Sequence, residues 1–100
     1  MIRLHDIIDR ISYLRVNMSR DLLQATEELG EVAKAYRNLK ENKEVEPAIE
    51  HLREEACDLM ICCLSLYYGA SPDSFILEDM FDTIETKLSK WETTKRKGQP

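Results

Sequence analysis

The sequence predicts an all-α protein, a four-helix-bundle-like domain completed by association with further copies of itself. Three observations predict it. Apolar residues recur at spacings of two to four through most of the chain, which is the periodicity of amphipathic helices rather than of strands. Only three Gly and three Pro punctuate the 100 residues, so few breaks separate the elements. Between Leu59 and Tyr68 the sole conventionally polar side chain is Ser65, and a helix apolar on every side needs cover all round. A bundle of this length buries one face of each helix, so a partner subunit is expected to cover the remainder. A central helix within a monomer is the alternative.

The elements follow in order. A first helix is expected from Ile2 to Val16, striped by Ile2, Leu4, Ile7, Ile8, Ile11 and Leu14. Asn17 and Ser19 are N-cap candidates for a second helix from Arg20 to Glu41, because a short polar side chain there accepts from an orphan backbone N–H. Its stripe is Leu22, Ala25, Leu29, Val32, Ala33 and Tyr36. The polar run Glu41 to Glu46 reads as a loop, and Pro47 suits the first turn of a third helix. That helix is expected to reach Tyr68 and to end at Gly69 in the left-handed conformation. Ser71-Pro72-Asp73 then reads as N-cap, N1 and a first-turn acid for a fourth helix. This helix carries Phe75, Ile76, Met80, Ile84, Leu88 and Trp91. Residues 1–94 form one domain, and 95–100 form a basic tail.

Composition narrows the function. A net charge of −5 opposes general nucleic-acid binding, which depends on neutralising phosphates with Lys and Arg. The longest nearly apolar run, Leu59 to Tyr68, is about half a membrane span. The first residues, MIRLHDIIDR, mix charge into their apolar positions and do not form a signal peptide. Cys57, Cys62 and Cys63 lack the CxxC spacing of zinc sites. Their apolar neighbours predict buried, reduced thiols in a cytoplasmic protein. No GxSxG or glycine-rich phosphate loop occurs. Neither His51 nor His5 completes the Glu-x-x-His motif of di-iron bundles, since Ala48 and Ile2 stand three residues before them.

The acids carry the chemistry. Helix two holds Glu27-Glu28-Leu29-Gly30-Glu31, and helix three holds Glu54-Glu55-Ala56-Cys57-Asp58. Glu28 with Glu31, and Glu55 with Asp58, lie three residues apart and so share a helix face. At about 100° per residue these acids rim the apolar stripes, and antiparallel packing of the two helices brings the pairs together. Converging carboxylates repel and are costly to bury unpaired. A hard divalent cation offsets that, because magnesium takes oxygen ligands and shares them with substrate phosphates. Two such ions would clamp the attacking and leaving oxygens of a displacement at phosphorus. Alternatively, Arg20, Lys34 and Arg53 neutralise these acids in ordinary salt bridges.

On EELGEVAKAY at 27–36 and EEACDLMICCLSL at 54–66, the chain resembles the MazG-like, all-α nucleoside triphosphate pyrophosphohydrolases, whose pattern is ExxE, a spacer and ExxD. The likeness covers about residues 4 to 92. It implies a MazG-type fold, a dimer or tetramer, and metal ligation by Glu28, Glu31, Glu55 and Asp58. It also implies magnesium as cofactor, with manganese as a substitute. The reaction would be hydrolysis of standard or modified (deoxy)nucleoside triphosphates to nucleoside monophosphate and pyrophosphate, as in house-cleaning. Glu27 or Glu54, next to the motif acids, would orient or deprotonate the water. Lys87 and Lys90, one turn apart on helix four, would meet the triphosphate if that helix closes over the site; a solvated basic face is the other reading. An Asn that helps with substrate in some relatives has only Ser65 as a counterpart here. Their base-holding aromatics have none in helix one, where Tyr13 is the sole aromatic. A non-enzymatic helical module, using apolar helix three as its partner surface, is the competing function.

Overall fold

The computed structural model describes residues 3–41 and 44–95, and these are all-helical with no strand. Four α-helices span Leu4–Leu14 (α1), Met18–Glu41 (α2), Val45–Ala70 (α3) and Leu77–Lys95 (α4), with a single 3₁₀ turn at Pro72–Ser74. Ile2, residues 42–43 of the expected loop and residues 96–100 of the basic tail lie outside the described residues. No described helix is long and apolar enough to cross a membrane.

Helix ends differ from expectation in ways the side chains explain. The first helix stops at Leu14, and Arg15 and Val16 are extended or irregular. Asn17 rather than Ser19 caps α2, its Oδ1 accepting from the Arg20 backbone N–H at 2.8 Å, so the helix starts two residues early. Pro47 stands in the first turn of α3 as expected. Gly69 does not end α3 in a left-handed turn. It remains helical, and its role is steric, because a β-carbon there would overlap the Arg15 guanidinium. Ser71 does not cap α4 either. Its hydroxyl hydrogen-bonds Ser74 within the 3₁₀ turn, and α4 begins only at Leu77. Phe75 and Ile76 therefore precede the fourth helix, and Phe75 instead meets the Tyr67 and Tyr68 rings at centroid distances of 6.0 and 5.5 Å.

The main pairing is α2 on α3, with α1 laid against α3. Three residue relationships show that α2 and α3 run antiparallel: Asp21 meets Ser65, and Glu28 meets Asp58 and Glu55. Advancing seven residues along α2 retreats seven along α3, two turns in each case. Among the described residues the buried apolar ones are few, namely Ile8, Ile11, Ala35, Ala48, Leu77 and Met80. Beyond Met80, α4 is exposed along the rest of its described length, including Phe81, Ile84, Leu88 and Trp91. Met60, Ile61 and Tyr67 on the apolar stretch of α3 are also exposed. The cysteines depart from expectation too: Cys57 and Cys63 are exposed and Cys62 is half-buried, all three as free thiols. One chain simply has too few helices around α3 to cover them.

Candidate metal centre

The α2–α3 groove positions the acids. Glu28 from α2 and Glu55 and Asp58 from α3 each present an oxygen atom, and the three lie within 4.8 Å of one another. Glu28 and Glu55 are half-buried, and Asp58 is exposed. Partial burial raises the Glu28 carboxyl above its ordinary value, and the charges of Asp58, Glu55, Glu31 and Glu27 push it further in the same direction. Each cause penalises one more negative charge at this spot. Glu31, exposed one turn along α2, acts on Glu28 through its charge but lies outside the convergent trio. Glu27 does likewise, and Glu54 is exposed on α3.

Among the described residues, Arg20, Lys34 and Arg53 form no ion pair with the trio. The imidazole beside the trio belongs to His51, which completes no Glu-x-x-His motif. Its Nε2 stands 3.9 Å from Glu55 Oε2, one turn back on α3. Lys87 and Lys90 line a shallow depression with Asp82, Thr83 and Thr86, all on α4 itself. Neither lysine is among the charges acting on Glu28.

A second polar assembly, not among the sequence-based expectations, lies two turns along the same groove. Asp21, 2% exposed, is the most deeply buried charged side chain described. Arg15 donates to its Oδ2 from Nε at 3.1 Å and from Nη2, while the Ser65 hydroxyl donates to Oδ1 at 2.6 Å. A buried carboxylate is tolerable only with such pairing. The signal in sequence is Ser65 itself, the sole conventionally polar side chain in an apolar run. Between the two assemblies stands Cys62. Burial pushes its thiol up, aided by Glu28, Cys63, Asp58 and Asp21, which disfavours the thiolate.

Comparison with protein-family models, with curated proteins and with solved structures yields no match for this chain.

Proposed function

We propose that the chain is a magnesium-dependent nucleotide pyrophosphohydrolase of the MazG-like kind, hydrolysing (deoxy)nucleoside triphosphates to monophosphate and pyrophosphate. The observation that carries this reading is the convergence of Glu28, Glu55 and Asp58 within 4.8 Å. No Lys or Arg among the described residues pairs with them. Like charges so placed are unfavourable alone, and an all-oxygen donor set suits a hard cation such as magnesium, or manganese in its place. Bound there, the ion would supply positive charge to the phosphates and acidify a water.

The side chains provide the remainder. Glu28, Glu55 and Asp58 would hold the cation from two helices, with Glu31 as a further ligand one turn along α2. Glu27 or Glu54 accepts the proton of the attacking water. The water oxygen bonds to the α-phosphorus, the bond to the bridging oxygen breaks, and pyrophosphate departs with the electron pair. Lys87 and Lys90 meet the triphosphate once α4 lies over the groove. The protein works as a dimer or tetramer, which covers the exposed apolar residues of α3 and α4. Three free thiols accord with a reducing, cytoplasmic setting.

The competing reading, a non-enzymatic interaction module, has one observation in its favour. Leu59, Met60, Leu64, Tyr67, Met80 and Ile84 line an apolar groove of about 530 Å³. Pyrophosphate release from a panel of nucleoside triphosphates, with and without magnesium, separates the two. Release that requires magnesium and vanishes in Glu55→Gln supports the enzyme. A folded wild type that releases none with any nucleotide supports the module.

A further inference from the structure

Between the carboxylate trio and the buried Asp21 lies a notch of about 220 Å³. Gln24, four residues before Glu28, and Cys62, four after Asp58, flank it. Four helical residues advance about 6 Å, so the notch sits one turn along the groove from the acids. Buried Ile11 and Ser65 line it as well, together with Leu14 at the end of α1 and Arg15 just beyond it. Its volume falls below the roughly 300 Å³ at which whole-ligand pockets begin, so it admits a ring-sized fragment rather than an entire nucleotide.

The wall supplied by Arg15 is built, not incidental. Two of its nitrogens are fixed on one Asp21 oxygen, Ser65 holds the other oxygen, and Gly69 leaves the space that the guanidinium fills. A guanidinium immobilised in this way is a flat, preorganised surface on which heteroaromatic rings stack. Its charge is already paired with Asp21, which makes the notch a poor phosphate site. The exposed Gln24 amide, which lines the same notch, offers both a donor and an acceptor. A flat ring with polar atoms on its edge satisfies both walls.

We propose that this notch is the base subsite, in which the heterocycle stacks on Arg15 and Gln24 reads its hydrogen-bonding edge. Gln24 is thereby the residue that sets base preference. The proposal rests on the nucleotide-hydrolysing reading above and deepens it by naming the group that selects the substrate.

The test uses the full chain with magnesium and compares wild type with Gln24→Leu across ATP, GTP, CTP, UTP and their deoxy forms. Gln24 is exposed, so the variant keeps the fold. Expected is a KM raised about tenfold for the best wild-type base, the loss of one well-placed hydrogen bond, with kcat little changed and the spread between bases narrowed. A base ranking that Gln24→Leu leaves intact overturns the proposal while the hydrolytic reading stands. A second measurement is independent of turnover: NMR titration with the four ribonucleosides, free of phosphate and metal. Shifts at the Gln24 side-chain amide and Arg15 Nε–H with at least one of them support the subsite, even if no triphosphate is hydrolysed. Silence at both groups with all four overturns it.

Discussion

The Ser65 hydroxyl donates to Asp21 at 2.6 Å, and two turns away along the same two helices Glu28 converges with Asp58. One carboxylate in the groove is satisfied and deeply buried, and the other is crowded by its own kind and half open to solvent. The contrast separates structure from chemistry. Asp21 has every feature of a group that fixes the register of α2 on α3, while Glu28 has those of a carboxylate disfavoured by its neighbours. Substitutions in the two assemblies should therefore move stability in opposite directions.

For Asp21→Ala, the expected outcome is a loss of about 3–5 kcal/mol, the usual effect of removing one partner from a buried ion pair. Arg15, only 13% exposed, would be left buried without its counter-charge, and Ser65 without its acceptor. Urea denaturation followed by circular dichroism measures it. A double-mutant cycle between Arg15→Ala and Asp21→Ala should show strong coupling, since each single change orphans the other group.

At Glu28 the sign reverses. Its carboxyl is raised by partial burial and by the surrounding acids, so the native state holds its proton to higher pH than the unfolded chain. Below the ordinary carboxylate range both states are protonated and Glu28 has no effect on stability. As pH climbs from that range through the raised value, stability falls, and it stays lower above it. Glu28→Gln should thus raise Tm at neutral pH without metal, and this gain should disappear in acid. Magnesium should stabilise wild type and not Glu55→Gln, because binding to the native state alone adds to its stability. Thermal melts across pH, with and without the ion, read both effects. A wild type indifferent to magnesium would remove the metal centre.

The two described glycines make a further pair of opposed expectations. Gly30 is exposed on α2, and an added β-carbon meets nothing within 4 Å, so Gly30→Ala should stabilise by about 0.5–1 kcal/mol through helix propensity. Gly69→Ala gains the same propensity but collides with Arg15. Overpacking of this kind costs about 1–3 kcal/mol, so the net effect is destabilising. In an Arg15→Ala background the collision is gone, and Gly69→Ala should become stabilising. Chemical denaturation of the four variants tests the sign change.

Those glycines also mark how far the sequence could be read. Periodicity located the helices, because burial of a stripe is a local pattern. The paired acids were legible because three-residue spacing sets a shared face whatever the tertiary fold. The local pattern predicts a helix terminator at Gly69, because the common use of glycine after an apolar helix is a left-handed cap. Its actual reason, a guanidinium from a segment 54 positions earlier, is a tertiary contact that no local pattern encodes. Ser71-Pro72-Asp73 failed similarly. Ser71 spends its hydroxyl on Ser74, and Phe75 leaves the helical stripe to pack on Tyr67 and Tyr68. The Arg15–Asp21–Ser65 assembly was hidden because its members lie on an extended linker and two different helices.

Association is the remaining expectation. Met60 is 61% exposed and Trp91 56%, on the two helices whose apolar residues one chain does not cover. Exposed apolar surface of this extent on a small domain ordinarily marks an interface. Burying each such side chain in a partner is worth about 1.5–3 kcal/mol, enough for a few of them to decide the assembly state. Met60→Glu should therefore yield a monomer by sedimentation equilibrium where wild type is a dimer or tetramer. Its fold should survive, since Met60 already faces solvent within one chain, and circular dichroism checks that point. Ala35→Glu offers the contrast: Ala35 is 2% exposed inside the α2–α3 pairing, so this change should unfold the chain rather than dissociate it. A wild type that sediments as a folded monomer would show instead that α3 and α4 tolerate their exposed faces, and the case for a catalytic oligomer would fall with it.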